Sequence, residues 1–135
     1  IDLDVATAAA FRLANSFVVN AINDNAKVYI EKIFKAKPEY FIELQDESME
    51  MMYSLADAED YYSASLIAKA LSDQMKKDND DYESLLRDRA MWLSKTDKKQ
   101  DALVALNIYL KKFSDGDYEP EIQVAKDALF FDVTD

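Results

Sequence analysis

Three alanines at regular intervals of 38 residues constrain the fold of this chain more than any other feature of its sequence. Around Ala26, Ala64 and Ala102 the same pattern of small and bulky residues recurs. The repeated positions lie twelve and nine residues before each alanine and four and seven after it: Ala14, Met52 and Ala90; Phe17, Leu55 and Leu93; Ile30, Ala68 and Leu106; Ile33, Leu71 and Tyr109. A fixed period of this length on a helical pattern is typical of stacked helix pairs. Extended by one period, the pattern predicts core positions at Ala128 and Phe131.

The composition favours an all-α fold and excludes several kinds of chemistry. Among 135 residues there are one Gly and two Pro, whereas half of the residues are hydrophobic, so helix is favoured nearly everywhere in one domain. The chain has no Cys and no His, so it lacks the thiolate nucleophile, the usual general base, thiolate metal sites and the commonest transition-metal ligand. We therefore expect no catalysis, no cofactor and no metal. The net charge of −11 argues against nucleic acid, and the absence of a long apolar run argues against membrane insertion.

Helical periodicity and turn residues predict seven helices. The first is expected over 4–22, with Leu13 and Phe17 inward, and the second from about Ala26 to just before Pro38. The others are expected over 38–55, over 61–77, from Tyr82 to about 95, from 98 to Phe113, and from Pro120 onward. The last helix is predicted to bury Ile122, Val124, Ala125, Ala128, Leu129 and Phe131. Gly116 is expected to take the left-handed conformation that often ends a helix.

The repeat resembles the tetratricopeptide family. The residue types that characterise this family are clearest in the first and third repeats. In the first repeat they lie at Ala10, Leu13, Ala14, Phe17, Ala26, Ile30 and Pro38, and in the third at Leu86, Ala90, Leu93, Ala102 and Leu106. The sequence departs from the family in its longer period, the family's being about 34 residues, and in Arg89, which stands where Leu is expected. The resemblance implies a right-handed α-solenoid of antiparallel helix hairpins, with repeats at 4–38, 39–77 and 78–116 and an unpaired helix at 117–133. It also implies that the chain is a segment of a longer one.

The third repeat carries a further resemblance. The stretch from Asp101 to Ala128, with residues 109–113 followed by Asp115, Gly116 and Tyr118, is similar to repeats of bacterial envelope proteins of this class. This resemblance favours a periplasmic over a cytoplasmic location and implies a structural part in a scaffold such as that of the flagellar motor.

Members of the tetratricopeptide class use the concave surface lined by the first helix of each pair to hold a peptide or another helix. By repeat position, this surface comprises Phe11, Asn15, Met49, Tyr53, Arg87 and Met91, with Leu129 in the last helix. Met and Tyr favour an adaptable binding groove. The alternative is that these residues pack against neighbouring helices, or against the next repeat of a longer parent chain.

A second candidate surface is acidic. Residues 39–60 contain eight acids and no Lys or Arg, and Glu43, Glu47 and Glu50 are predicted to share one helix face. Such a face is either a solvated outer surface or a docking strip for a basic segment. Calcium is a third interpretation, raised also by residues 78–83, but the glycine and the distal Glu of the known calcium loop are missing.

The sequence therefore predicts a non-catalytic scaffold that binds or assembles with other proteins. The alternative is a helical regulatory or substrate-holding domain of a larger enzyme. Glycoside hydrolysis would need a carboxylate set apart in an apolar pocket, and no Glu in the sequence is distinguished from its neighbours in this way.

Overall fold

The computed structural model describes residues 2–134, with side chains for residues 2–131, and this part of the chain is all-α with no strand. Consecutive helices pack as antiparallel hairpins. The eight helices are α1 (Leu3–Val19), α2 (Asn23–Ala36), α3 (Tyr40–Glu43), α4 (Gln45–Asp57), α5 (Tyr61–Asp73), α6 (Tyr82–Ser94), α7 (Lys99–Lys112) and α8 (Glu119–Thr134).

The 38-residue period of the sequence is also the period of the helices. The second helices of the three hairpins, α2, α5 and α7, begin at Asn23, Tyr61 and Lys99, which are 38 residues apart. The residue before each start has almost the same backbone, with ψ of 63°, 63° and 64°. Each hairpin is therefore built to one local plan.

The repeated small and apolar residues form the core, as the sequence predicts. Ala26, Ala64 and Ala102 are fully buried, and so are the residues four positions after them, Ile30, Ala68 and Leu106. The residues twelve positions before the alanines and seven after them are also buried. Of the residues nine positions before, Leu55 and Leu93 are buried, whereas Phe17 is half-buried. Because a small residue brings two helix backbones close together, these positions fix the packing of each hairpin.

The core follows the stack of hairpins and does not surround a single centre. One cluster of buried side chains extends from Phe11 through the second hairpin to Trp92, and a second extends from Tyr82 to Leu129. The hairpin pairs α1–α2, α4–α5 and α6–α7 are joined to one another by α5–α6, α2–α5 and α1–α4 contacts, while α8 packs on α6 and α7. The two layers of the stack are thus a first-helix layer (α1, α4, α6 and α8) and a second-helix layer (α2, α5 and α7).

The predicted helix over 38–55 is wrong, because it is divided into α3 and α4 at Leu44. The Leu44 backbone lies outside the helical region, at φ −117° and ψ 59°. Phe41 in α3 is fully buried, and the Ser48 hydroxyl donates to its carbonyl oxygen at 2.8 Å. This contact stabilises the turn between the two helices, so residues 2–134 contain eight helices where seven were predicted.

Two other predicted boundaries also differ. The first break lies at residues 20–22, with Ala21 in the left-handed region at φ 59°, so Asn23, Asp24 and Asn25 form the first turn of α2. The helix predicted over 61–77 ends at Asp73. Leu13, which was expected inside, is exposed.

The buried residues of α8 also differ from those that the 38-residue period predicts. Val124, Ala128 and Phe131 are exposed, whereas Ile122 and Leu129 are buried. The reason is that no second helix of its own hairpin covers α8 within the described residues. It makes extensive contacts only with α6 and α7, so the face that continues the period is left uncovered.

Gly116 does not have the predicted left-handed conformation, since no described glycine has positive φ. Gly116 instead leaves room for neighbouring atoms that lie close to its backbone. A Cβ atom at this position would lie 2.5 Å from Glu83 Oε2, 2.6 Å from the Tyr109 hydroxyl oxygen and 2.8 Å from the Phe113 Cβ. The Tyr109 hydroxyl donates to Glu83 at 2.7 Å and accepts from the Tyr118 backbone N–H at 2.9 Å, so the two crowding oxygen atoms are held by hydrogen bonds.

We expect Gly116→Ala to lower the free energy of unfolding by about 1–3 kcal/mol, the usual cost of overpacking. Chemical denaturation followed by circular dichroism measures the effect. Ser114→Ala, at an exposed position of the same connection, is the control and should change the free energy by less than about 0.5 kcal/mol. Equal effects of the two substitutions would contradict the steric role of Gly116.

Candidate protein-binding surface

The six residues of the predicted groove lie on α1, α4 and α6, all in the first-helix layer. Their exposure differs widely. Asn15 and Tyr53 are exposed, Met49, Arg87 and Met91 are half-buried, and Phe11 is only 5% exposed. Leu129, expected to extend the surface onto α8, is buried.

Phe11 packs between the first and second hairpins. Its ring centroid lies 5.6 Å from that of Tyr40 in an edge-to-face arrangement and 6.1 Å from that of Phe41. Such pairs stabilise a helix interface beyond the area that they bury. Phe11 therefore offers almost no surface to a ligand and joins α1 to α3.

Tyr53 connects α4 to α6 through both its ring and its hydroxyl. The ring meets Trp92 edge-to-face, with centroids 6.0 Å apart, so Trp92 covers the junction between two repeats. The hydroxyl donates to Asp88 Oδ2 at 3.2 Å. Burial, and then the charge of Asp88, raise the pKa of Tyr53 to about 12. One edge of Tyr53 remains accessible, since 40% of the residue is exposed.

Arg87 continues the same chain of contacts from α6 to α8. Its Nε and Nη2 atoms donate to the two carboxylate oxygens of Glu121 at 2.8 and 3.0 Å. Its Nη1 atom donates to Asp88 at 2.8 Å, and the guanidinium carbon lies 5.3 Å from the centroid of the Tyr118 ring. The hydrogen bond to Glu121 is the main reason that the pKa of Arg87 is raised. A guanidinium with this many partners fixes the helices and has little capacity left for a ligand.

These contacts form a polar seam along the first-helix layer, defined by Tyr53, Asp88, Arg87, Glu121 and Tyr118. Sequence reasoning found Tyr53 and Arg87 but missed the buried carboxylate of Asp88, the ion-pair partner Glu121 and the ring of Tyr118. A signal was available, because the polar pairs of the seam are separated by 35 and 34 residues, close to one repeat. The accessible part of the candidate surface consists of Asn15, Met49, one edge of Tyr53, and Met91.

The predicted acidic strip is exposed but is not one helix face. Glu47 and Glu50 belong to α4, whereas Glu43 belongs to α3, on the other side of the break at Leu44. One Glu43 carboxylate oxygen lies 3.8 Å from Lys37 Nζ, and Lys37 also contacts Asp4 at 2.6 Å. The hydrogen bond to Asp4 is the main reason that the pKa of Lys37 is raised.

Within residues 2–131, no group of three or more acids is arranged to hold a metal ion. No helix in the same part of the chain is long and apolar enough to cross a bilayer.

No protein-family model matches the sequence, and no curated protein is significantly similar to it.

The seam predicts an unusual titration for Tyr53. Because the folded pKa of about 12 exceeds the ordinary value of 10.0, the protonated hydroxyl stabilises the fold fully below pH 10. This contribution is lost as the pH rises through 12. The tyrosinate absorbance of the native protein minus that of Tyr53→Phe should therefore have its midpoint near pH 12. Circular dichroism at each pH verifies that both proteins are folded. A midpoint near pH 10 would contradict the contact between Tyr53 and Asp88.

Proposed function

We propose that this chain is a non-catalytic module that binds other proteins, or assembles with them, through its first-helix layer. The observation that supports this proposal most strongly is the repetition of equivalent positions along that layer. Asn15, Tyr53 and Met91 are 38 residues apart on α1, α4 and α6, and each leaves part of its surface accessible. Stacked helix hairpins use such rows of equivalent side chains as extended binding surfaces.

The character of the row suits a protein ligand. Met49 and Met91 are half-buried, flexible and polarisable, so they adapt to an apolar side chain, and the exposed edge of Tyr53 adds a rigid aromatic contact. The polar seam holds α4, α6 and α8 in fixed relative positions. A rigid surface loses less conformational entropy on binding than a mobile one.

The proposal has a finer form, which rests on sequence resemblance. The tetratricopeptide-like pattern, together with residues 109–118, suggests a bacterial protein that serves as a structural part of a periplasmic motor or envelope complex. In the structure this segment forms the corner between α7 and α8, around Gly116 and the Tyr109 hydroxyl. The alternative function is a helical regulatory or substrate-holding domain of a larger enzyme, and the other domains of the parent chain would distinguish the two.

The experiment compares two doubly substituted proteins with the native chain, each immobilised and exposed to native extract. Met49→Lys with Met91→Lys places two charges on the candidate surface, and the lysine stems can replace part of the methionine packing. Val28→Lys with Val124→Lys makes the same charge change at exposed positions of α2 and α8 and is the matched control. We expect the first variant to lose about tenfold or more of a captured protein that the control retains.

Cross-linking of the captured protein to the native chain then locates the contact. Cross-links concentrated on α4 and α6 support the proposal. Equal capture by both variants, or cross-links confined to the second-helix layer, would contradict it. Circular dichroism of the variants verifies that lost binding is not lost folding.

A further inference from the structure

The second-helix layer contains a cleft where two of its helices separate. The backbones of α2 and α5 pack against each other, but those of α5 and α7 do not make an extensive contact. Two adjoining hollows, of about 460 and 220 Å³, occupy this gap, and Lys69 and Arg89 line both. We call them together the α5–α7 cleft. It follows α5 from Tyr62 to Asp73, a distance of about 16 Å at the rise of an α-helix.

Arg89, on α6, lies where the two hollows meet. It is half-buried, yet among the described residues its guanidinium makes no hydrogen bond and no ion pair within 4 Å. Burial lowers the pKa of Arg89, while the charges of Asp73 and Asp101 act in the opposite direction. The contrast with Arg87, which has three charged hydrogen bonds two residues away, is large.

The repeat makes Arg89 more unusual. The positions 38 and 76 residues before it are Met51, which is buried, and Leu13. An apolar side chain is therefore what the fold accommodates at this position. The Arg89 nitrogens reach solvent, since none is a buried atom without a partner, so the guanidinium is accessible to a ligand. Residues that break the local pattern of a fold concentrate at functional sites.

The surroundings of Arg89 define the ligand chemistry. Lys69, Arg89 and Lys112 line the cleft with Asp73 and Asp101, so a chain of net charge −11 has a slight local excess of positive charge here. Lys69 is paired with Asp73 at 2.9 Å, and Lys112 lies 5.6 Å from the Tyr82 ring centroid. One planar guanidinium remains, and its fork matches one carboxylate. The two aspartates disfavour a doubly charged phosphate.

The walls of the cleft define the size of the ligand. Leu66 and Ile108 face the cleft from α5 and α7, and Val104 on α7 is 55% exposed. The gap closes at the end nearest the α6–α7 loop, because the centroid of the Tyr62 ring on α5 lies 4.6 Å from Lys98 Nζ. An open apolar trough about 16 Å long is longer than a small organic acid and suits three turns of helix.

We propose that the α5–α7 cleft binds an amphipathic helical segment of a partner protein, with an Asp or Glu of that segment paired to Arg89 and its apolar residues on Leu66, Val104 and Ile108. The segment would fill the gap that α5 and α7 leave in the second-helix layer. This site lies in a different layer from the surface of the proposed function and does not depend on it.

The test uses two synthetic helical peptides in NMR titrations of the native chain. Both are capped at each end and rich in Ala and Lys, with a Leu one turn before and one turn after a central residue, which is Glu in one peptide and Gln in the other. We expect the Glu peptide to shift the Arg89 side-chain N–H and the amides of Lys69, Val104 and Ile108 saturably. We expect the Gln peptide to bind about tenfold more weakly, because the charge-assisted hydrogen bonds are lost.

Variants separate the site from general charge attraction. Arg89→Leu should abolish the preference for the Glu peptide, and it should remain folded because apolar residues occupy the equivalent positions in the other repeats. Arg12→Leu removes the same charge at an exposed position of α1 and should keep the preference. No difference between the peptides, or an equal loss in both variants, would overturn the proposal.

Two small anions complete the test. Sodium hexanoate and sodium phosphate are titrated separately at constant ionic strength. Shifts at Arg89 with phosphate and none with the Glu peptide would overturn the proposal in favour of an inorganic anion. Saturable shifts with hexanoate and none with the Glu peptide would overturn it in favour of a free organic acid.

Discussion

The structure depends on close packing between helices at small, fully buried residues. Ala26, Ala64 and Ala102 let the second helix of each hairpin approach its neighbours, and the apolar residues one and two turns later fill the space around them. Because the three positions are 38 residues apart, the same geometry is produced three times. Stability in such a stack comes from each hairpin and from its contact with the next, so a regular spacing in the sequence becomes a regular array of surfaces.

The two layers of the stack are held in different ways, and this difference underlies both proposals. In the first-helix layer, the polar seam from Tyr53 to Glu121 joins α4, α6 and α8, leaving a rigid row of partly exposed Met and Tyr side chains. In the second-helix layer, α2 and α5 pack directly, whereas α5 and α7 leave a cleft with a half-buried arginine at its floor. Regular packing produces the row of side chains on the first-helix layer, whereas a local departure from regular packing produces the α5–α7 cleft.

Much of the fold could be predicted from the sequence, because burial at a fixed period leaves a direct trace in residue type. The fold class and the buried 38-residue positions are confirmed. The break at Leu44 could not be predicted, since Leu favours helix and the turn is stabilised by a tertiary contact of Ser48 with Phe41. The buried face of α8 was missed because the period was extended to a helix that packs only on α6 and α7, with no second helix of its own hairpin among the described residues.

The candidate surfaces were less predictable than the core. Repeat position placed Met49, Tyr53 and Met91 in the correct layer, but it could not show that Phe11 is enclosed by Tyr40 and Phe41. The different surroundings of Arg87 and Arg89 were also beyond reach, because they depend on where Glu121 and the α5–α7 gap lie in space. A period identifies equivalent backbone positions, whereas the partners of long polar side chains are set by the packing of several helices.

The 38-residue period governs packing through α6, whereas the face of α8 that continues the period is left uncovered. Ala90 and Ala128 test it directly, since they are 38 residues apart in sequence but one is buried and the other exposed. The measurement is the free energy of unfolding of Ala90→Leu and Ala128→Leu by chemical denaturation. We expect a loss of about 1–3 kcal/mol for Ala90→Leu and a change of less than about 0.5 kcal/mol for Ala128→Leu. Equal losses at the two positions would contradict it.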